Sequence, residues 1–130
     1  DAKEVTQWIS TENHLITEVM GFFFDKPNRW NIQALVDTSL ITIHKQNYLK
    51  LCREFPKWNS LEKDFIVKCF VTLEDRVFSH ISMTAEERYD LYHGQNKALF
   101  NQVPLQYIAS ILGMSAETLS RIRNRKRTSS

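Results

Sequence analysis

The chain has 130 residues, of which 42% are hydrophobic and 25% charged, and its formal net charge is +2. This composition excludes an intrinsically disordered chain, and the length suits one domain or two small ones. No apolar run is long enough to span a membrane and no signal peptide is visible, so we expect a cytoplasmic protein without a membrane partner. Because the chain begins with Asp, we expect a fragment, a processed chain or the ordered part of a longer one.

The distribution of charge indicates a class of partner, and the two cysteines indicate the redox environment. Residues 113–130 hold five basic residues and one Glu, a charge of +4, so residues 1–112 carry −2. A basic end on a mildly acidic body is typical of a nucleic-acid-binding terminus, although a solubilising tail has the same composition. Cys52 and Cys69 lie in apolar helical patterns. We expect buried free thiols in a reducing cytoplasm and no metal, because two thiols alone do not build a structural zinc or iron–sulfur site.

The first 44 residues predict extended structure. Segments 4–9 and 14–19 are short and alternate imperfectly between apolar and polar residues. Segment 31–44 has apolar residues on both sides of a turn at Asp37-Thr38, which predicts a β-hairpin. The three phenylalanines at 22–24 predict an apolar knot that leads into a loop.

Helical patterns begin after His44. The spacing predicts a short helix over Lys45–Phe55 and a long helix that Asn59 caps and that runs to about Met83. In the long helix four apolar residues repeat at the 4-3-4 spacing of a coiled-coil seam, and we expect them to form a dimer interface. They are Ile66, Phe70, Leu73 and Val77. A single wide stripe in a monomer core is the alternative.

The chain from Thr84 onwards predicts a helix–glycine–helix unit. Thr84 and Glu87 form a capping box that opens a helix ending at Gly94, and Pro104 suits the first turn of the next helix. Gly113 stands where that helix has to stop in the left-handed conformation, and Ser115 can cap the helix that follows. Small Ala109 allows the two helices to cross closely.

The second helix of this unit separates apolar from polar residues. The buried seam is predicted to consist of Ile108, Leu112, Met114, Leu119 and Ile122. Glu117, Ser120, Arg121 and Asn124 fall on the opposite face at helical spacing, and they are residue types that recognise base edges in the major groove. The pattern predicts a DNA-binding helix-turn-helix, and an ordinary helical hairpin with a solvated face is the alternative.

Four segments closely resemble the C-terminal domain of Crp/Fnr-type transcription regulators, in particular the variety found in Bacteroidetes-like bacteria. They are Ala85–Tyr89, Val103-Pro104, Tyr107–Ser110 and Glu117–Arg123. The resemblance implies an α+β fold in which residues 1–58 are the C-terminal part of a cyclic-nucleotide-binding-like sensor β-barrel with a short helix. Residues 59–83 would be the dimerisation helix, and 84–130 the helix-turn-helix DNA-binding domain. The family's barrel needs roughly twice as much sheet as residues 1–44 provide, so the sensor would be N-terminally incomplete.

The resemblance also implies a small-molecule effector, for which Glu18 and Arg29 are the candidate binding residues. Family members that bind cyclic nucleotides carry Gly-Glu for the ribose and Arg followed by Ser or Thr for the phosphate. Here Thr17 precedes Glu18, and Trp30 follows Arg29. The residues therefore favour another effector or none over cyclic AMP, and a structural role for Glu18 and Arg29 is the favoured alternative.

The family's base-reading positions fall on Glu117 and Arg121. A third position falls on Ala116, which offers only an apolar contact to a thymine methyl group. Ser120 and Asn124 are expected to add base contacts. Phosphate contacts, which set register without reading sequence, are expected from Gln106, Ser115, Arg123 and Arg125.

Together these features predict a homodimeric, sequence-specific transcription regulator. Its recognition helix, about Ser115–Lys126, would lie in the major groove of a near-palindromic operator, and an effector would act by tilting the dimer helix. The resemblance implies RNA polymerase as a further partner. The alternative is a protein-interaction or dimerisation module without DNA or ligand binding. We do not expect an enzyme, because the four histidines are scattered and no nucleophile elbow or Gly-rich phosphate loop is present.

Overall fold

The computed structural model describes residues 4–128, and within that range every regular element is an α-helix. The seven helices of this range, in chain order, are α1 Val19–Phe24, α2 Lys45–Glu54, α3 Pro56–Ser82, α4 Ala85–Gln95, α5 Leu99–Gln102, α6 Leu105–Ile111 and α7 Ala116–Thr128. None of the helices described is long and apolar enough to cross a membrane.

The α+β fold with a partial β-barrel is wrong, because residues 4–128 contain no strand. Segment 31–44 has no regular structure instead of the predicted hairpin, and its Ile41 is almost fully exposed. A two-stranded hairpin is marginal unless further strands or a helix cover its apolar face, and no such cover is found among the described residues.

Capping at both ends makes the predicted apolar knot at residues 22–24 part of a short helix. The side chain of Glu18 accepts a hydrogen bond from the backbone N–H of Gly21 at 2.5 Å, which begins α1. Asp25 adopts the left-handed conformation with φ 53° and ends it. A carboxylate N-cap and an αL C-cap together satisfy the ends of a short helix, so the three phenylalanines are helical, and the chain after Asp25 has no regular structure until α2.

The chain divides into two compact units. The C-terminal unit comprises the described residues of Asp1–Ile9 and Thr72–Ser130, and the central unit is Ser10–Val71. Helix α3 begins in the central unit and ends in the C-terminal unit.

In the central unit, α2 and the start of α3 are joined by the Tyr48 hydroxyl, which donates to the Glu62 carboxylate at 2.6 Å. Helix α3 begins at Pro56 rather than at the predicted Asn59 cap, because proline is favoured in the first turn of a helix. The Asn59 amide instead donates to the carbonyl of Cys52 at 3.3 Å. Both thiols are free, but Cys52 is half-buried and Cys69 exposed, so the expectation that both are buried is wrong.

The core lies in the C-terminal unit, between α4 and the pair α6–α7. The predicted capping box opens α4: the Thr84 hydroxyl accepts from the Glu87 N–H, and the Glu87 carboxylate accepts from the Thr84 N–H at 2.7 Å. The buried cluster comprises Tyr89, Phe100, Ile108, Ala109, Leu112, Leu119 and Ile122. Helix α4 continues one residue past Gly94, where the sequence predicted its end.

Candidate nucleic-acid interface

The turn between α6 and α7 depends on one glycine. Gly113 has φ +65°, the left-handed conformation that the sequence predicted. A Cβ atom at this position would lie 3.1 Å from the His80 ring, so neither the backbone nor the space favours a larger residue. The turn is closed by hydrogen bonds from Gly113 N–H to Ser110 O and from Met114 N–H to Ala109 O.

Helix α7 begins as its sequence predicts. The Ser115 hydroxyl accepts a hydrogen bond from the backbone N–H of Thr118 at 3.1 Å, which is the N-cap geometry. Glu117 lies in the first turn, where the helix dipole favours a carboxylate. The start of α7 is therefore fixed by its own side chains rather than by a distant contact.

Helix α7 has one buried side and one exposed side, and the predicted buried seam is confirmed. Leu119 and Ile122 are buried with Ile108 and Leu112, and Met114 packs against the same cluster. The structure brings the predicted base-reading residues together on the exposed side. We call Glu117, Ser120, Arg121 and Asn124 the reading face, and all four are exposed.

The remaining predicted DNA contacts lie beside the reading face. Ser115 and Ala116 are exposed at the start of α7, and Gln106 is exposed in the first turn of α6. Arg123 differs from the expectation of a phosphate contact, because it is half-buried and its guanidinium lies 5.9 Å from the centre of the Phe100 ring.

Acidic residues of α4 lie against the basic end of α7. The Arg125 guanidinium pairs with the Glu86 carboxylate. The Lys126 ammonium donates to Asp90 at 2.7 Å and lies 3.3 Å from Glu86. The hydrogen bond to Asp90 is the main cause that raises the pKa of Lys126. Sequence reasoning missed Glu86 and Asp90; the available signal was their spacing of four residues, which places both on one face of α4.

Two side chains that sequence reasoning also missed hold the turn in place. Arg88 on α4 donates from Nε to Leu112 O at 2.9 Å and from Nη1 to Met83 O at 2.6 Å. The His80 Nε2 atom lies 3.2 Å from Ile111 O. The contacts to Leu112 O and Ile111 O involve carbonyl groups at the C-terminal end of α6, and the contact to Met83 O ties Arg88 to the segment between α3 and α4.

The extended N-terminal segment lies along the same helix pair. The Thr6 N–H donates to the Ser110 hydroxyl at 2.8 Å, and the carbonyl of Gln7 accepts from the Arg76 guanidinium. Glu4 and Val5 line a groove with residues from the end of α6 and the start of α7.

The candidate effector residues lie in the central unit and bind each other. The Arg29 Nε atom is 3.6 Å from the Glu18 carboxylate, and Glu18 is buried. Because the other Glu18 oxygen caps α1, the two residues stabilise local structure in a helix and loop, not in a barrel.

The predicted dimer residues are exposed on α3, two of them in the central unit and two in the C-terminal unit. Ile66, Phe70, Leu73 and Val77 keep between 47% and 60% of their surface accessible. No group of three or more His, Cys, Asp or Glu residues among those described could hold a metal ion. Comparison with protein-family models, with curated proteins and with solved structures gave no match to this chain.

Proposed function

We propose that the C-terminal unit is a helix-turn-helix module that binds double-stranded DNA and inserts α7 into the major groove. The observation that carries this proposal is the reading face: four polar side chains of base-recognising types, all exposed, on a helix whose other side is buried. Helix α7 has 13 residues, and its polar side projects from a small core. The major groove of DNA is wide enough to accept such a helix.

Some side chains of the C-terminal unit suit the bases of DNA, and others suit its phosphates. Arg121 suits the paired acceptors of guanine, and Glu117 suits the amino group of cytosine. Gln106 and Ser115 lie at helix starts, where backbone N–H groups and the helix dipole attract phosphate. The basic residues at the end of α7 add attraction to the DNA backbone that is independent of sequence.

We further propose that the active form is a homodimer of the Crp/Fnr type that pairs through α3. The half-exposed apolar residues at 4-3-4 spacing support this arrangement, because such a stripe is covered when two helices form a coiled coil. Two copies of α7 would then meet half-sites about one DNA turn apart, and the operator would be a near-palindrome. The proposal concerns DNA binding and dimerisation, and it does not include the sensor barrel.

The test is in vitro selection of bound sequences from a random duplex library by the full chain. We expect an enriched near-palindromic motif, and binding to the selected duplex should weaken steeply between about 50 and about 200 mM salt. An Arg121→Ala variant should lose the motif while keeping weak binding to any duplex. Failure of the wild-type chain to enrich any motif, together with no salt-sensitive binding, would contradict the proposal.

The exposed apolar side of α3 also favours a second candidate, a dimerisation module without DNA binding. Sedimentation of the wild-type chain and of a Phe70→Glu variant separates the two candidates when it is combined with the selection. A dimer that Phe70→Glu dissociates, without any selected DNA, would favour the second candidate.

A further inference from the structure

The four side chains where α4 meets the end of α7 form a compact charge cluster. Glu86 and Asp90, which we call the acid pair, lie one helical turn apart on α4. Arg125 and Lys126, the basic pair, are consecutive on α7. Every cation of this cluster contacts at least one carboxylate, and Lys126 contacts both.

The basic pair nevertheless remains within reach of a ligand. The Arg125 side chain is 61% exposed and that of Lys126 38% exposed. Arg125 follows Asn124 and Arg121 along α7, so it lies at the border of the reading face. When a helix lies in the major groove, the phosphates of the groove walls pass along the borders of its inserted face.

The energies allow phosphate to compete with the acid pair. Exposed ion pairs contribute little to stability, because water and salt screen the charges and both side chains lose conformational freedom. Each cation that neutralises a DNA phosphate instead releases condensed counterions, a gain that grows as salt falls. The pairing therefore weakens phosphate binding by these two cations without preventing it.

We infer that the acid pair is an intramolecular competitor for DNA phosphate that limits how strongly α7 binds duplex of any sequence. The inference rests on the proposed DNA binding and names the residues that set its sequence-independent part. By neutralising the basic pair, Glu86 and Asp90 leave the reading face to supply a larger share of the binding energy. They would thereby raise the preference for the correct operator over the rest of the genome.

The test compares the wild-type full chain with Glu86→Gln/Asp90→Asn on two probes, the selected duplex and a duplex of random sequence. Removing the two carboxylates should steepen the slope of log K against log salt by about one to two units on both probes. The loss of affinity between about 50 and about 200 mM salt should therefore become about 4- to 16-fold larger. The selected motif itself should not change, because the reading face is intact.

A matched control removes the same charge elsewhere. Glu74→Gln/Asp75→Asn changes the net charge by the same amount on exposed residues of α3. It should leave the slope within experimental error of the wild type, because no paired cation is released at the DNA-facing helix. Circular dichroism of all variants verifies that the helical content and the cooperative unfolding of the chain are unchanged.

A double-mutant cycle places the effect on the basic pair. Arg125→Met should change the slope little in the wild-type background, but it should lower the slope by about one unit in the Glu86→Gln/Asp90→Asn background, because Arg125 lies at the border of the reading face. Equal slopes for the acid-pair variant and its α3 control, with clear wild-type binding, would overturn this inference alone. Absence of DNA binding by the wild type and by every variant would overturn the proposed function together with it.

Discussion

The C-terminal unit and the central unit differ most in what they bury. All the buried hydrophobic residues among those described lie in the C-terminal unit, around α4, α6 and α7. In the central unit the buried residue is Glu18, a carboxylate, while large apolar side chains such as Leu40 and Ile41 are exposed. Since burial of apolar surface is the main favourable term in folding, the C-terminal unit has its own source of stability and the central unit has much less.

The two units also differ in what determines the positions of their helices. Helices of the C-terminal unit begin at side-chain caps, end at defined residues and cover one another with a shared core. The central unit has caps too, at α1, but its apolar residues do not meet in one cluster of buried residues. Local signals thus fix the helices in both units, whereas only the C-terminal unit has a core that fixes their packing.

The largest expected effect comes from one truncation made in each unit. Leu119→Ala should lower the free energy of unfolding by about 2–5 kcal/mol, because Leu119 is fully buried and its removal leaves a cavity. Leu40→Ala removes the same atoms from a residue that is 69% exposed and should change it by less than about 0.5 kcal/mol. Urea titration followed by circular dichroism measures both. Equal losses for the two variants would break the contrast between the units.

DNA affinity provides the second comparison. Arg121→Ala should cost about 1–3 kcal/mol of binding to the selected operator and relax the preference at one base pair. Arg53→Ala in α2 removes the same exposed side chain from the central unit and should have little effect on binding. Fluorescence anisotropy with the operator and with single-base variants measures these changes. If the two substitutions weaken binding alike, Arg121 is not a base reader and the contact is general electrostatic attraction.

The third comparison lies within the C-terminal unit and concerns its turn. Gly113→Ala should destabilise the unit by about 1–2 kcal/mol, because a side chain is strained at φ +65° and its Cβ would crowd His80. Gly94→Ala should instead stabilise α4 by up to about 1 kcal/mol, since the position is helical and nothing lies within 4 Å of the new atom. Thermal unfolding of both variants tests this opposite sign, and a Gly113→Ala variant as stable as the wild type would show that the turn tolerates alanine.

The same physical distinction explains which predictions from the sequence succeeded. Gly113, Ser115 and the Thr84 capping box act over four residues or fewer, so their geometry could be predicted from the order of residues. The buried seam of α7 followed from its helical period. The exposure of the reading face followed for the same reason, because it is the side of α7 left over when the seam is buried, whereas base recognition by its residues stays a prediction.

The prediction of a hairpin in residues 31–44 and of a barrel was wrong because two strands are stable only when further strands or a helix cover their apolar face, and the pattern of residues 31–44 does not show whether that cover exists. The pairing of Arg125 with Glu86 joins residues 39 positions apart and was also missed. The same holds for Arg88, whose guanidinium reaches a carbonyl 24 positions away. Such contacts depend on how α4 packs beside the helix pair, which neither helical period nor capping specifies.

The smallest expected effect is a pH dependence at the start of α4. Hydrogen bonds from the backbone and side chain of Thr84 lower the pKa of Glu87. The charged Glu87 therefore stabilises the folded C-terminal unit above the ordinary carboxyl pKa, and this contribution is lost as the pH falls through the lowered value. Glu87→Gln should reduce the melting temperature at neutral pH, and the difference from the wild type should shrink in acid. In a Thr84→Ala background the same substitution should have a smaller effect at neutral pH, because the hydroxyl that also donates to Glu87 is absent while the backbone N–H of residue 84 still donates. An undiminished effect would show that the backbone hydrogen bond alone carries the contribution.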